Sequence, residues 1–223
     1  RDENGMKNDY RNYLFEHYLS VVKRYRPKLF IFENVPGILS AKPNDKKIIE
    51  IIEKDFKDNG YIISKHIQKH GIVDASKYGV PQRRKRVILL GVRSDLGAVD
   101  DLYNLIGAFY EELLPKYKQK EITVEEAIGD LPKITPIWNE ERRDKKKAYI
   151  FDEIIDRHTP RYHNLRDMNI YKMLAEDIEL GNNKYTNATA ITEIYEKEVG
   201  SKSPIHRYHV LRKDEPSTTI IAH

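Results

Sequence analysis

The segment RPKLFIFENVPGIL, residues 26–39, sets Leu29, Phe30, Ile31 and Phe32 in one apolar run between Pro27 and the Pro36-Gly37 pair. A run this short, closed at both ends by residues that break regular structure, reads as a strand buried on both faces, as in a parallel sheet covered by helices. RVILLGVR, residues 86–93, is a second such strand. Around the two strands, apolar positions fall at helical spacing. Leu14, Phe15, Tyr18, Leu19 and Val22 do so within 12–25, and Ile48, Ile49, Ile52 and Phe56 do so ahead of Gly60. Asp45 is a candidate N-cap and Gly60 a candidate C′ residue. YIISKHIQ, residues 61–68, alternates as a strand does. Helix, strand, helix, strand, loop, strand is α/β order.

Past Ser94 the character changes. Residues 100–117 are predicted to be helical, and Thr123 with Glu126 forms a capping box for a short helix that ends near Gly129 and Pro132. From Thr135 to Ser203 the chain is polar and irregular, with charge runs such as NEERRDKKK and one convincing helix, 169–180. Such a shift divides the chain into 1–96, a smaller second region over 97–205, and a tail, 206–223, that returns to the first. The ends, polar RDENGMKNDYRN without an initiator Met and strand-like TTIIAH, suggest a fragment.

Composition narrows the function classes. A hydrophobic content of 39% over 223 residues is enough for a core. The 39 basic and 35 acidic residues leave a net charge of +4, which permits a nucleic-acid partner without requiring one. The lack of cysteine excludes disulfides, thiolate zinc sites and a thiol nucleophile within this chain. No apolar stretch approaches membrane-spanning length and no leader is recognisable, so the expectation is a cytoplasmic protein with no membrane partner.

Three groups of residues could carry chemistry. Glu33 stands where the first strand leaves the sheet, and in open parallel sheets ligands bind beyond the carboxyl ends of the strands. The alternative is a Glu that bonds a neighbouring loop or reaches water. In YGVPQRRKRV, an extended backbone puts Gln82, Arg84 and Arg86 on one face and Arg83 and Lys85 on the other. Forked guanidinium donors suit a carboxylate, a phosphate or a base edge, although a basic strand also guards a sheet edge against aggregation. RHTPRYHNLRD, residues 157–167, offers Arg157, Arg161, His163, Asn164 and Arg166 as nucleic-acid contacts or as a solvated loop. His66 with His70, and His206 with His209, are spaced as metal ligands can be. No thiol or HExxH pattern accompanies them, and no metal is expected.

ENV at Glu33–Val35, YGVPQRRKRV at Tyr78–Val87 and EPSTTI at Glu215–Ile220 together resemble the DNA cytosine-5 methyltransferase family in content, order and spacing. DYRNYLF at Asp9–Phe15 and AIGDLP at Ala127–Pro132 extend the likeness along the chain. Asp74-Ala75 stands where the family usually has Asn-Ala, which touches local loop hydrogen bonding. The family's glycine-rich loop and Pro-Cys loop would precede this sequence, and its last motif would follow it.

The resemblance implies an α/β protein, part of a Rossmann-like S-adenosylmethionine-dependent methyltransferase domain, with a smaller irregular, mixed target-recognition domain. It implies transfer of a methyl group to C5 of a flipped cytosine in duplex DNA. Glu33 would bond the N3 and amino edge of the base, in a site that raises its affinity for a proton. Arg86 would meet cytosine O2, and Arg84 the nucleophile loop or a phosphate. Gln82 would support the turn and Asn34 fix the loop. Leu14 would line the cofactor pocket, unless it is core, as leucines at helical spacing usually are. EPSTTI reads as a hinge back into the catalytic domain. Implied partners are double-stranded DNA and a cognate restriction endonuclease, around a monomeric bacterial or phage enzyme that is inert without its cysteine. The alternative is a noncatalytic DNA-binding module or one half of a split methyltransferase.

Overall fold

Strand β4 (Lys85–Arg93) is the central strand of a four-stranded sheet. On one side lies β1 (Leu29–Asn34), in register from Leu29 opposite Val92 to Asn34 opposite Val87. On the other side β2 (Tyr61–Ile63) pairs with the end of β4, and β3 (Ile72–Asp74) with its beginning. All three pairings are antiparallel, which corrects the expected parallel sheet. For β3 the reason lies in the connection: only residues 75–84 join it to β4, and a link this short turns the chain back, whereas a parallel neighbour needs a crossover of about a dozen residues or more. In this computed structural model the residues described are 14–42, 46–139, 141, 147–185, 187–200 and 208–219. Asp45, His206 and the stretch Asp9–Tyr13 lie outside them.

Helices α1 (Leu14–Tyr25) and α2 (Ile48–Asp58) cover one face of the sheet. Phe15, Leu19 and Val22 from α1, and Ile48, Ile49, Ile52 and Phe56 from α2, pack there with Phe30, Phe32, Val87 and Leu89. Phe30 stacks on Phe56 at 4.4 Å between ring centres and passes over Gly91, where an added Cβ would lie 2.1 Å from the Phe30 ring. Leu14, grouped with the apolar stripe in the sequence, is 49% exposed at the first turn of α1. Gly60 takes the left-handed conformation after α2, as its candidate C′ role requires.

Helix α4 (Val99–Ala108) covers the opposite face, setting Leu102 and Ile106 on Ile62, Leu90 and Val92. It does not reach across β1. Leu29 and Ile31 are 54% and 56% exposed, so the expectation of a strand buried on both faces holds for β4 but not for β1. The outer edge of β1 is also open among the described residues, apart from the Tyr18 hydroxyl, which donates to the Ile31 carbonyl at 2.8 Å.

After α4 the helix widens into one π-helical turn, Phe109–Leu113, before Leu114–Lys116. Tyr110 in that turn mends a gap in the sheet. Between β2 and β3 the backbone of β4 lacks a strand partner, and there the Tyr110 hydroxyl accepts from Leu90 N–H and donates to the Ile88 carbonyl, both at 2.9 Å. Ile88 N–H is taken by the Gly71 carbonyl at 2.7 Å. Burial pushes the Tyr110 hydroxyl above its ordinary pKa. The expected strand 61–68 stops at Ile63, since the Ser64 hydroxyl accepts from His66 N–H and the chain turns into α3 (Ile67–His70).

The chain divides into two compact units, Arg1–Ile122 with Thr218–His223, and Thr123–Ser217. Residues 97–122, grouped with the second region in the sequence, thus belong with the sheet. In the second unit the Thr123–Glu126 capping box opens α5 (Val124–Ile128), and β5 (Ile134–Pro136) pairs with β6 (Tyr149–Phe151). Two longer helices follow, α6 (Leu165–Glu179) and α7 (Ala188–Val199), with Ile170, Leu174, Ile194 and Tyr208 between them. The buried Asp177 carboxylate accepts from the backbone N–H groups of Lys184 and Tyr185 at 3.0 Å, which anchors the start of the α6–α7 connection. No helix among the described residues is long and apolar enough to cross a membrane.

Candidate active site

Glu33 lies opposite Ile88 in the β1–β4 ladder, and Arg86 is two residues along β4 on the same face. Diagonal neighbours of this kind are within reach of long side chains across an antiparallel pair. Here they meet: Arg86 Nε is 2.8 Å from Glu33 Oε1, with the guanidinium 19% and the carboxylate 52% exposed. Arg86 Nη1 donates to the Lys85 carbonyl at 2.7 Å. A guanidinium has five N–H donors, so this one retains donors for a further acceptor while it orients the acid.

The surrounding backbone is held at both strand ends. Asn34 turns its side-chain oxygen onto Val35 N–H at 2.8 Å, which fixes the exit from β1 into the Pro36–Leu39 turn. Gln82 N–H donates to the Val80 carbonyl at 2.7 Å and tightens the approach to β4. The tail reaches this segment too, for the Thr219 hydroxyl donates to the Arg83 carbonyl at 2.8 Å. Arg84 is exposed and its guanidinium meets no partner among the described residues, although its backbone is bonded at both ends.

The support beneath these arginines runs through Asp74, which the sequence tied to local loop hydrogen bonding, and through Ser76 and Glu121, which sequence reasoning passed over. Asp74 accepts from the backbone N–H groups of Ser76 and Arg84, and the hydroxyl of the fully buried Ser76 donates to Glu121. An Asp followed two residues later by Ser is a turn signature, so the signal was there. Lys77, 3.0 Å away, and then the Ser76 hydroxyl hold the Glu121 carboxyl below its usual range.

In the second unit the five candidate DNA contacts differ in what they have left to offer. Arg157 is exposed, in a left-handed backbone conformation, with Asp156 3.5 Å from its guanidinium. The Arg161 carbonyl accepts from the Tyr149 hydroxyl at 2.9 Å. His163 stands edge-on to the Tyr171 ring. Asn164 is the N-cap of α6, accepting from Asp167 N–H at 2.8 Å. Arg166 bonds Asp167 at 3.0 Å, and the same carboxylate oxygen accepts from Tyr208 at 2.7 Å. Burial, with the Asp167 bond second, pushes the Tyr208 hydroxyl up to about 12.

The model of the C-5 cytosine-specific DNA methylase family matches residues 2–220. The chain belongs to that family. Among curated relatives it is 29% identical to the Type II methyltransferase M.Bpa9945I of Bacillus paralicheniformis, over 100% of this chain and 52% of that protein. It is 37% identical to the Type II methyltransferase M.MthTI of Methanothermobacter thermautotrophicus, over 60% of this chain and 35% of that one. The chain thus spans about half the length, or less, of these relatives. The solved S. pombe Dnmt2 methyltransferase superposes with a TM-score of 0.31 at 20% identity, over 59% of this chain and 35% of that one.

Proposed function

We propose that this chain forms the middle and target-reading part of a DNA cytosine-5 methyltransferase of the restriction-modification kind, a cytoplasmic enzyme acting on double-stranded DNA. The observation that carries the reading is the Glu33–Arg86 pair on one face of the sheet.

C5 of cytosine is a weak nucleophile until a thiolate adds to C6 and makes it enamine-like. Attack on C6 requires the ring face to be clear, so the base must leave the stack. Glu33 then bonds the N3 and amino edge of the extruded base and answers the charge that develops at N3. Arg86 aims that carboxyl through Nε while its remaining donors meet O2, and Arg84 is available to a phosphate or to the nucleophile loop. Gln82 and Asn34 fix the turns that carry these groups. The second unit would read the DNA around the flipped nucleotide, with Arg157 and Arg161 the contacts least committed elsewhere.

S-adenosylmethionine, when bound, supplies the methyl group. Leu14 is the one candidate contact to it in this chain, an exposed apolar side chain that a ring of the cofactor could cover. The thiolate must also come from outside these residues, because the chain contains no cysteine. A second reading is a DNA-reading module or half of a split enzyme. Bisulfite mapping of DNA from cells expressing the intact gene tests the choice: 5-methylcytosine at one recurring sequence is expected, and unmodified DNA would leave only the module.

A further inference from the structure

The backbone of Arg84 is held entirely by the end of β3. Its N–H donates to Asp74 Oδ1 at 3.1 Å, and its carbonyl accepts from Ala75 N–H at 3.1 Å. Asp74 Oδ1 also accepts from the Ser76 backbone N–H at 3.2 Å. A single carboxylate oxygen therefore gathers the start of the 75–84 loop and its end.

The loop is pinned from a second direction. The Ser76 hydroxyl lies 2.8 Å from Glu121 Oε1, which pairs with Lys77 Nζ at 3.0 Å, while Gln119 N–H donates to the Lys77 carbonyl at 2.9 Å. Ser76 is fully buried, so stranding its hydroxyl would be costly, whereas Lys77 and Glu121 remain partly open to water. Gly79 completes the loop in a left-handed conformation, and a side chain there would meet Gln119.

We propose that Asp74 is a positioning residue for methyl transfer, acting through Arg84 and, two residues on, through Arg86. The inference rests on the reading of Glu33 and Arg86 as the base-binding pair. It assigns a task to an acidic residue that touches neither. Both backbone N–H bonds to Asp74 converge on Oδ1, so the requirement is for an acceptor at one point in space and not for a negative charge. Displacing a catalytic group by about 1 Å can cost on the order of 10²-fold in rate.

The test uses the complete methyltransferase polypeptide and labelled S-adenosylmethionine, with melting temperatures measured alongside. Asp74→Ala should lower kcat by about 10- to 100-fold and leave KM for DNA within about threefold, as expected for a misplaced catalytic group. Asp74→Asn, which keeps the oxygen, should restore kcat to within a few-fold of the parent. Asp74→Glu keeps the charge but carries it one carbon further, and should behave like Ala. Should Asp74→Ala not fold, the Asn and Glu variants decide alone. Parent-like rates in Asp74→Glu, or losses in Asp74→Asn equal to those in Asp74→Glu, would overturn the proposal. Glu33→Gln and Arg86→Ala run in the same assay separate the two failures: if they retain full activity, the base-binding reading falls, whereas if only they are impaired, Asp74 has no positioning role.

Discussion

Arg86 reaches diagonally across the β1–β4 ladder to place its Nε 2.8 Å from the Glu33 carboxylate. The pair is partly open to water, and exposed ion pairs are worth about 0–1 kcal/mol, so it adds little to the stability of the sheet. Its value would lie in aiming an acid. Glu33→Gln in the complete enzyme is therefore expected to leave the melting temperature and DNA affinity nearly unchanged. Methyl transfer should fall by about 10²- to 10⁴-fold, the usual worth of general acid assistance. Labelled S-adenosylmethionine gives the rate, and an undiminished rate removes Glu33 from the mechanism.

Arg86→Ala takes away both the partner of Glu33 and the donors proposed to meet O2. On DNA carrying 5-fluorocytosine, which arrests the covalent adduct, the variant should trap enzyme at least tenfold more slowly than the parent, in keeping with a lost charge-assisted contact of about 1.5–3 kcal/mol. Trapping at the parent rate would reduce Arg86 to a structural arginine.

Tyr110 offers a stability test that does not involve chemistry. Tyr110→Phe keeps the ring and deletes the oxygen that serves Leu90 N–H and the Ile88 carbonyl. Stranding buried polar groups costs about 1–3 kcal/mol, and that loss should be read in urea unfolding of the complete protein. Hydrogen exchange at Leu90 should speed up by a matching factor. An unchanged midpoint would mean that water replaces the hydroxyl without cost.

Tyr208 makes the second unit sensitive to alkali. Its pKa stands at about 12 against an ordinary 10.0, so the folded state holds the proton more tightly than the unfolded chain does. The associated stability is fully present below pH 10 and drains away as pH rises from 10 towards 12. Melting temperature followed across that window should fall, and Tyr208→Phe should flatten this part of the profile. A fall of equal size in the variant would point to another group.

Much of this molecule is legible in its sequence, and what is not has definite causes. The run Leu29–Phe32 announces a strand, but four consecutive apolar residues cannot say which face is covered. That depends on how far α4 extends over the sheet, and it stops short of Ile31. The direction of β4 was readable in principle from the short 75–84 connection. Helix α7 was missed because Thr and Glu dilute its composition, although the Asn187 cap, the spacing of Ile191, Ile194 and Tyr195, and the left-handed Gly200 that ends it all point to a helix. Asn164 is read as a nucleic-acid contact or part of a solvated loop, and the Asp three residues later marks it also as the start of a helix. Glu33 and Arg86 were named from motifs, yet their meeting depends on strand register, which no single segment encodes.

The outer rim of β1 has a consequence for handling the protein. Backbone polar groups alternate along a strand, and because Ile88 and Leu90 direct theirs to Tyr110, those of Glu33 and Ile31 point away from β4. Beside that rim, Leu29 and Ile31 open onto a furrow shared with Leu105, Phe109 and Leu113. Produced by itself, a polypeptide with so adhesive a border should cling to its own copies, and Ile31→Lys, by planting a charge there, should keep it dispersed.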